Sequence, residues 1–518
     1  MQYDSESVTD AQPTAHNPQP PAHSFPHPDY ARHILRPFFE DGRRLLFGPM
    51  LAANAAHLIM LAETGIVPAV QAGRVLAALR QIAAEGAGSF DYAPAVEDLF
   101  FAVEGRLIAL AGPEAGGNLQ IARSRNDLDA AMCRLLLRER LLGAIGQALD
   151  LRARLLAFAR EHVGTLMPGI THTQPAQPTT LAHYLAGVLG PLARDTARLR
   201  AAYARVNESP LGAAAFTTTG FPIDRELLAQ LLGFQGVVEN GYDAVGGSDC
   251  MIEPLTTLTI LASGLSRFVH DLLIWARAEV GILRIGDEFV QISSIMPQKR
   301  NPVVLEHVRA RIGYVYGDAA TVATMLHGSA FGDTADINDQ IYVPLARAFD
   351  ALGSVLELLT AVFATAQVDR ALLASRAGTG FTTSTELADT LVRDHGLPFR
   401  SAHGIAAATV RAAIARGLDA SQVTPALVDA AAQSVIGRPI GLTADALRAA
   451  LDPWTFVRRR NLPGGPAPEA MTRSLATLDT ALASDRAWLA DERARLAQAE
   501  AERERRVAAL VDLVGDAG

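Results

Sequence analysis

The chain has almost no lysine. Its 46 basic residues include a single lysine, Lys299, and all the others are arginine. Lysine carries a compact point charge, whereas arginine carries a broad planar fork, so a site that requires the point charge does not accept arginine. Because the residues around Lys299 are also polar, we interpret its retention as functional rather than as chance in an arginine-rich composition.

The chain also has few cysteines and carries no net positive charge. The two cysteines, Cys133 and Cys250, form no CxxC pair, which is typical of a reducing compartment and offers no metal-ligand spacing. A net charge of −9 disfavours nucleic acid and anionic membranes as partners. We find no apolar run long enough to span a bilayer and no signal-peptide pattern. These features predict a cytoplasmic protein.

Composition divides the chain into a short tail and a helical remainder. Residues 1–28 are rich in Pro, His and other polar residues, and this composition predicts a disordered tail. Apolar residues at spacings of three and four then predict helices, as over residues 181–199, where Thr179 and Thr180 are placed to cap the helix and Pro191 to kink it. Further long helices are predicted at residues 254–275, 345–368 and 489–513, the last of them solvated. The sequence therefore predicts an all-α, mostly helical bundle and disfavours a parallel α/β sheet.

Three separated segments concentrate the polar residues. They read ARSRND from Ala122, GITHTQPAQP from Gly169, and SSIMPQKRNPVVLE from Ser293. Taken alone, Ser124, Arg125 and Asn126 offer donors for a carboxylate, but a helix cap with a surface ion pair explains them equally well. His172 carries a proton usefully only if it is positioned.

The third segment has the strongest chemical content. A serine hydroxyl is a poor base unless nearby donors or positive charge stabilise its alkoxide. Lys299 and Asn301 are suited to stabilise a doubly charged carboxylate intermediate, and Glu306 to orient His172. Walker A, SxxK and HExxH patterns are absent from the sequence.

The segment SSIMPQKRNPVVLE resembles the signature of the fumarase/aspartase superfamily. ARSRND and THTQPAQPTTLAHYLAG resemble the argininosuccinate lyase branch in particular, as do LAANAAHLIMLAETGI, STELADTLVRDHGLPFRSAH and NLPGGPAPEAM. The resemblance runs in collinear order over roughly residues 35 to 490.

This resemblance implies a mostly helical subunit of three domains whose long central helices form the core of a homotetramer. We expect an N-terminal helical domain at 29–122, a central bundle domain at 123–375 and a C-terminal helical domain at 376–518. It also implies active sites built from three chains, and elimination of an amine from an N-substituted aspartate to give fumarate without a cofactor or a metal.

The resemblance assigns a role to individual residues. It implies that Ser293 abstracts the Cβ proton, that Lys299 and Asn301 stabilise the aci-carboxylate, and that His172 with Glu306 assists proton transfer. The residues expected to bind substrate are Ser124, Arg125, Asn126, Thr171, Ser294, Gln298 and Asn301.

The sequence departs from the family pattern at several positions. Ile292 replaces the usual glycine before the serine, and a β-branched residue does not easily adopt φ > 0. Phe100 replaces a histidine. Residues 243–249 lack the arginine of DAVSDRD, and residues 333–341 lack the tyrosine, arginine and lysine of YNRDLQEDK. The last segment lies near the guanidinium end of the substrate in the family. The sequence therefore does not fix which amine is released.

Alternative functions remain open at this stage. A lyase of another aminopolycarboxylate, such as ethylenediamine disuccinate, fits the altered segments. A catalytically silent structural relative, as among lens crystallins of this fold, is the alternative from another class. A pyridoxal phosphate enzyme with Lys299 as its Schiff base fits the helical pattern poorly.

Overall fold

The computed structural model describes residues 25–94 and 96–516. The predicted tail at 1–28 therefore lies outside the described residues except for its last four. Contacts between Cα atoms divide the chain into two compact units. The first contains the residues up to Ile121 together with those from Val507 onward, and the second runs from Ala122 to Arg506.

The first unit is helical. Its core is made of large apolar side chains that are completely or almost completely buried, among them Phe39, Leu58, Leu76, Ile82 and Leu107. Its helices are α1 (Pro28–Tyr30), α2 (Arg36–Leu45), α3 (Phe47–Glu63), α4 (Ala69–Glu85), α5 (Leu99–Ala111) and α6 (Pro113–Gly116), with a π-helical turn at Ala31–Leu35 and a 3₁₀ turn at Ala87–Ser89.

The second unit is built around five long helices. They are α7 (Arg125–Glu161), α8 (Leu181–Val206), α11 (Asp249–Trp275), α12 (Val303–His327) and α14 (Tyr342–Thr365). Each buries a row of apolar residues at helical spacing, such as Leu181, Leu185, Leu189, Leu192 and Leu199 in α8. Burying such a stripe is the main source of stability for a long helix, so the predicted helical bundle is confirmed.

Shorter helices and one further long helix complete the second unit. The shorter helices are α9 (Arg225–Leu232), α10 (Gly241–Gly246), α13 (Ala335–Asn338), α15 (Arg370–Gly378), α16 (Ser384–His395), α17 (Phe399–Ala415), α18 (Pro425–Ile436), α19 (Ala444–Leu451) and α20 (Pro453–Arg459), with 3₁₀ turns at Asp287–Phe289 and Ala420–Gln422. The long helix is α21 (Pro468–Asp516), whose residues from Val507 onward belong to the first unit. The strands are β1 (Leu166–Thr171), β2 (Gln174–Thr180), β3 (Glu208–Ser209), β4 (Gly236–Val237), β5 (Leu283–Arg284), β6 (Gln291–Ile292), β7 (Arg300–Asn301) and β8 (Gln367–Val368). The strands pair two by two, β3 with β4 in parallel and the others antiparallel.

Helix pairing gives the bundle two distinct ends. Near the start of α7, the Tyr342 hydroxyl donates to the Asp129 carbonyl oxygen over 3.3 Å. Near its other end, the rings of Phe158 and Phe363 lie 5.3 Å apart. Helices α7 and α14 therefore run in the same direction. With 37 residues, α7 is about 55 Å long at about 1.5 Å per residue.

The predicted helices are confirmed with shifted ends. The Thr180 side chain accepts the His183 N–H and caps α8, which contains Pro191. Helix α11 begins five residues before Pro254 and contains this proline, which removes one hydrogen-bond donor close to the start of the helix. Helix α14 ends at Thr365, and the predicted continuation to Val368 is wrong because β8 follows.

The prediction of a solvated helix at 489–513 is wrong in part. These residues belong to the long helix α21, and Leu489 is buried. The guanidinium of Arg495 donates to the Gly233 carbonyl oxygen over 2.8 Å, and that of Arg503 to the Leu231 carbonyl oxygen over 3.1 Å. Both guanidinium groups thus bind backbone carbonyl oxygens of other segments, a role that the charge pattern alone does not reveal.

A buried carboxylate organises the C-terminal part of the second unit. Glu386 is 2% exposed and accepts hydrogen bonds from three arginines, which we call the arginine clamp: Arg393, Arg459 and Arg460. Burial raises the pKa of Glu386, but the hydrogen bonds from the clamp outweigh burial, so the pKa is lowered overall. The carboxylate therefore stays charged and ties α16 to α20.

By length and composition alone, two described segments could cross a membrane, Asp249–Trp275 and Ala335–Thr365. The prediction that no apolar run is long enough is wrong to this extent. Both segments take part in the bundle, where Leu258 and Leu265 of α11 and Leu352 and Leu359 of α14 are fully buried. Their apolar character is thus used in packing between helices.

Candidate active site

The first polar segment forms the start of α7. The Ser124 hydroxyl accepts the Asn126 N–H over 3.3 Å, and the Asp127 carboxylate accepts the Ser124 N–H over 3.0 Å, which makes a capping box. Ser124, Arg125 and Asn126 are all partly exposed. A helix N-terminus with free donor capacity is suited to a carboxylate ligand. The expected cap is therefore present, and binding of a carboxylate by these residues stays a prediction.

Asp127 holds this helix start against a neighbouring loop. It is fully buried, and its carboxylate also accepts the N–H groups of Gly212 and Ala214 over 2.9 and 3.0 Å. Burial raises its pKa, while its backbone hydrogen bonds and Arg123 act in the opposite direction. The sequence interpretation did not assign a role to Asp127. Its position three residues after the capping serine is the signal that could have identified it.

The second polar segment forms most of a hairpin, with His172 and Thr173 at its tip. Strands β1 and β2 are antiparallel, with Thr171 opposite Gln174. His172 and Thr173 are the two connecting residues, and both have positive φ, 50° and 64°. Positive φ at both central positions is the geometry of a type I′ turn, which normally uses Asn or Gly. The chain accepts backbone strain here to present the exposed His172 ring at the tip.

A groove of about 1100 Å³ runs beside this hairpin. It is lined by Thr171, by Gln177, and by residues of α8 and α11. Tyr184 on its wall donates its hydroxyl proton to Asp271 over 2.5 Å, and burial with this contact raises the pKa of Tyr184. His183 bridges the Thr179 hydroxyl and the Gly464 carbonyl oxygen, each over 2.8 Å. The sequence interpretation missed His183, Tyr184 and Asp271 because each occurs singly in an apolar helix sequence.

The third segment is the loop of a second hairpin. Strand β6 pairs with β7, Gln291 opposite Asn301 and Ile292 opposite Arg300, and the loop between them carries Ser293 and Lys299. The Ser293 hydroxyl oxygen accepts the N–H groups of Ile295 and Met296 over 3.4 and 3.1 Å.

The remaining residues of this segment are accessible. Ser294, Gln298 and Lys299 are exposed, and Asn301 is partly exposed at the end of β7. Glu306 is exposed in the first turn of α12. Within the described residues, no hydrogen bond or ion pair joins His172 and Glu306, so the expected pairing is not made inside one chain.

Ile292 is accommodated without strain. It lies in β6, and it is not among the described residues with positive φ. A β-branched side chain suits a strand, so the position does not need glycine in this conformation. The side chain is 75% exposed, which is unusual for isoleucine.

The three segments do not all meet within one chain. The first lies at the N-terminal end of α7, and the hairpin of His172 begins five residues beyond its C-terminal end. The third lies at this second end as well, since Glu288 just before β6 accepts the Thr365 hydroxyl at the end of α14 over 2.7 Å. About 55 Å of helix therefore separates Asn126 from the other two segments.

Two of the departures from the family pattern, at residues 243–249 and 333–341, come together beside Asn126. A small pocket of about 40 Å³ is lined by Asn126, by Ala244, Val245 and Gly247 of one altered segment, and by Asp333, Asn338 and Ile341 of the other. Cys133, Cys250 and Arg134 also line it. Both thiols are buried, and burial raises their pKa, that of Cys133 well above its ordinary range.

No group of three or more potential metal ligands occurs among the described residues.

Two family models match the chain. One, described as Lyase, covers residues 45–317, and the other, described as Argininosuccinate lyase C-terminal, covers residues 381–458.

Curated relatives match nearly the whole chain. The argininosuccinate lyase of Methanoculleus marisnigri is 41% identical over 459 residues, covering 89% of this chain and 92% of that protein. Argininosuccinate lyase 1 of Shouchella clausii is 35% identical over 467 residues, covering 90% and 94%. Among solved structures, EDDS lyase in complex with formate has a TM-score of 0.84 at 32% identity, covering 92% and 95%. A fumarate lyase from Mesorhizobium sp. BNC1, with a TM-score of 0.66 at 20% identity, shares the fold.

Proposed function

Because this chain belongs to the argininosuccinate lyase family of carbon–nitrogen lyases, we propose that it eliminates an amine from an N-substituted aspartate and releases fumarate. Argininosuccinate, which would yield arginine and fumarate, is the leading substrate. In that case the enzyme acts in arginine biosynthesis. We further propose a cytoplasmic location and no cofactor.

The proposed mechanism starts with Ser293 as the base. Its hydroxyl oxygen accepts two backbone N–H groups, and such donors stabilise the alkoxide that a basic serine requires. This contact is the observation that carries the mechanism. The alkoxide removes the Cβ proton, and the electron pair moves into the adjacent carboxylate to form an aci-carboxylate. Lys299 and Asn301 stabilise the doubly negative group.

The second step breaks the Cα–N bond. The electron pair of the aci-carboxylate forms the double bond of fumarate, and the amine leaves with a proton. His172, oriented by Glu306, assists this transfer. The substrate carboxylates are held by donors from all three segments: Ser124, Arg125, Asn126, Thr171, Ser294, Gln298 and Asn301.

A complete site requires several chains. In one chain Asn126 and the two catalytic segments lie at opposite ends of α7, so we propose a homotetramer whose sites each combine segments from three chains. The outward face of α12 supports this proposal. Its Tyr314 and Tyr316 are 57% and 43% exposed, and small residues such as Gly313 and Gly317 lie beside them on the exposed surface. Such a face allows close packing of another helix.

A second candidate substrate is favoured by two observations. The two altered segments line the same pocket as Asn126, and the structure of EDDS lyase is similar over nearly the whole chain. A site built for one polar group discriminates strongly against another because unpaired buried groups are costly. A different N-substituted aspartate, such as ethylenediamine disuccinate, is therefore the alternative.

The test is run in the addition direction. Purified protein is incubated with fumarate and a panel of amines that includes arginine and ethylenediamine, and adducts are identified by mass spectrometry. We expect the arginine adduct from the wild type and none from S293A, with the tetramer intact in both. Adducts with ethylenediamine alone would assign the second candidate. A wild type that forms no adduct while remaining folded would indicate a silent structural relative.

A further inference from the structure

Backbone strain concentrates at the segments proposed to bind the substrate. Among the described residues, six other than glycine have positive φ. Two of them form the tip of the His172 hairpin, and three lie around the start of α7: Ala122, Ala214 and Thr218. Strained residues persist only where the surrounding structure holds them, and they cluster at active sites. The loop that carries Ala214 and Thr218 is therefore a candidate part of the substrate site.

We call this loop, residues 211–220, the Thr218 loop. Thr218 has a φ of 61° and is exposed, and its N–H donates to the Ala213 carbonyl oxygen over 2.9 Å. A β-branched side chain makes positive φ particularly unfavourable, whereas glycine adopts the same backbone without this cost. An exposed side chain also gains little from packing. Packing therefore does not explain a threonine at this position, whereas a ligand for its hydroxyl does.

Hydrogen bonds fix the Thr218 loop to the start of α7. The buried Asp127 carboxylate accepts the N–H groups of Gly212 and Ala214 over 2.9 and 3.0 Å. The Asn126 side-chain amide donates to the Ala215 carbonyl oxygen over 3.3 Å. The loop thus lies directly beside the donors at the start of α7, and its position relative to them is set by the backbone.

A second set of contacts holds the loop from its other side. The Arg225 guanidinium donates to the Leu211 carbonyl oxygen over 2.9 Å. A Cβ at Gly241 would collide with the Phe216 carbonyl oxygen, so glycine permits the close approach of α10. A loop that is held from both sides keeps Thr218 in its strained conformation without help from a ligand.

We propose that the Thr218 hydroxyl donates a hydrogen bond to a carboxylate of the fumarate half of the substrate, beside Ser124 and Asn126. The inference rests on the proposed function, which places that half at the start of α7. Arg125 adds positive charge there, and the N-terminal end of a long helix also favours an anion. Because the loop is already fixed, binding does not have to order this donor, which is what the strained threonine contributes.

The test separates the strain from the hydroxyl. T218S keeps the hydroxyl, T218V keeps the β-branched shape without the hydroxyl, and T218G removes the hydroxyl and the strain together. The matched control is A214G, which relieves strain in the same loop and removes no polar group. T218G and A214G should both raise the midpoint of chemical denaturation, because glycine accepts positive φ.

Binding of fumarate alone is measured by titration calorimetry, which requires no turnover, and the KM for fumarate is measured in the addition reaction. T218V and T218G should weaken fumarate binding by about ten- to one-hundred-fold, the effect of losing a hydrogen bond to a charged group. T218S and A214G should bind fumarate like the wild type, and the KM for the amine should not change in any of the four variants.

The outcomes distinguish this proposal from the proposed function. Wild-type affinity for fumarate in T218V, or an equal loss of affinity in A214G, would overturn the role of the hydroxyl while leaving the lyase activity in place. A change confined to the KM for the amine would overturn it as well. A folded wild type that neither binds fumarate nor forms an adduct with any amine would overturn the proposed function itself.

Discussion

Mixing two inactive variants should restore activity, because the structure separates the two parts of the site. The variants are N126A, at the start of α7, and S293A, in the second hairpin. Asn126 makes one side-chain hydrogen bond to a carbonyl oxygen, and Ser293 accepts two N–H groups at the surface. Losing such contacts costs roughly 1 kcal/mol each, so both variants should fold and assemble.

The expected fraction of activity that is restored follows from how often the two kinds of chain meet at one site. If a site takes Asn126 from one chain and Ser293 from another, it is intact only when the first chain is S293A and the second is N126A. Random assembly from equal amounts of the two variants makes about a quarter of the sites intact. If both residues came from the same chain, no mixed tetramer would contain an intact site.

The assay measures the release of fumarate by its ultraviolet absorbance. The two variants are co-expressed with different tags, and mixed tetramers are isolated through both tags. S293A mixed with K299A is the control, since both changes lie in one loop, and we expect no recovery from it. Recovery in the control, or none above the parent variants in the N126A mixture, would refute the placement of these segments in different chains.

Three further predictions concern stability and pH. E386Q should lower the free energy of unfolding by about 3 kcal/mol, because it leaves the arginine clamp without its buried carboxylate, and chemical denaturation measures the loss. Because the folded-state pKa of Glu386 is lowered, its stabilising contribution is present above the unfolded pKa of about 4.3 and is lost as pH falls through the folded value; E386Q should lack this acid-dependent part. T180A should destabilise the protein by about 1 kcal/mol through loss of the α8 cap, visible as a lower denaturation midpoint at an unchanged slope. D485A should lower the free energy of unfolding by about 3–5 kcal/mol, because Arg152 is 2% exposed and donates to this carboxylate over 2.6 Å. The double variant R152M/D485L should recover much of that loss, because it removes both charges.

Helices were predictable from the sequence because their signals are local. The stripe at residues 181–199 and the cap at Thr180 depend on spacing and on one hydroxyl, and both are present in α8. The capping interpretation of Ser124 is likewise confirmed. The predicted ends of the helices were less accurate. Whether α11 extends to residues before Pro254, and whether α14 ends at Thr365, depends on what packs nearby.

The hairpin of His172 was not predictable because each of its sequence signals is atypical. Strand β2 contains Pro175 and Pro178, which remove donors and usually argue against a strand. The turn uses His172 and Thr173 at positive φ, where Asn or Gly is expected. Pairing with β1 can satisfy the remaining backbone groups, and that partner is known only from the folded chain.

The two halves of the proposed site differ in how far the sequence predicts them. The residues that the sequence assigns to the fumarate half lie in three short motifs, and such motifs are readable in sequence because their chemistry requires particular side chains. The altered segments at residues 243–249 and 333–341 line the same pocket as Asn126, and neither contains a residue proposed for the catalytic steps. A change of amine can therefore be made with new side chains in these two segments and no change in the catalytic motifs, so an enzyme of this family can retain fumarate chemistry while its second product changes.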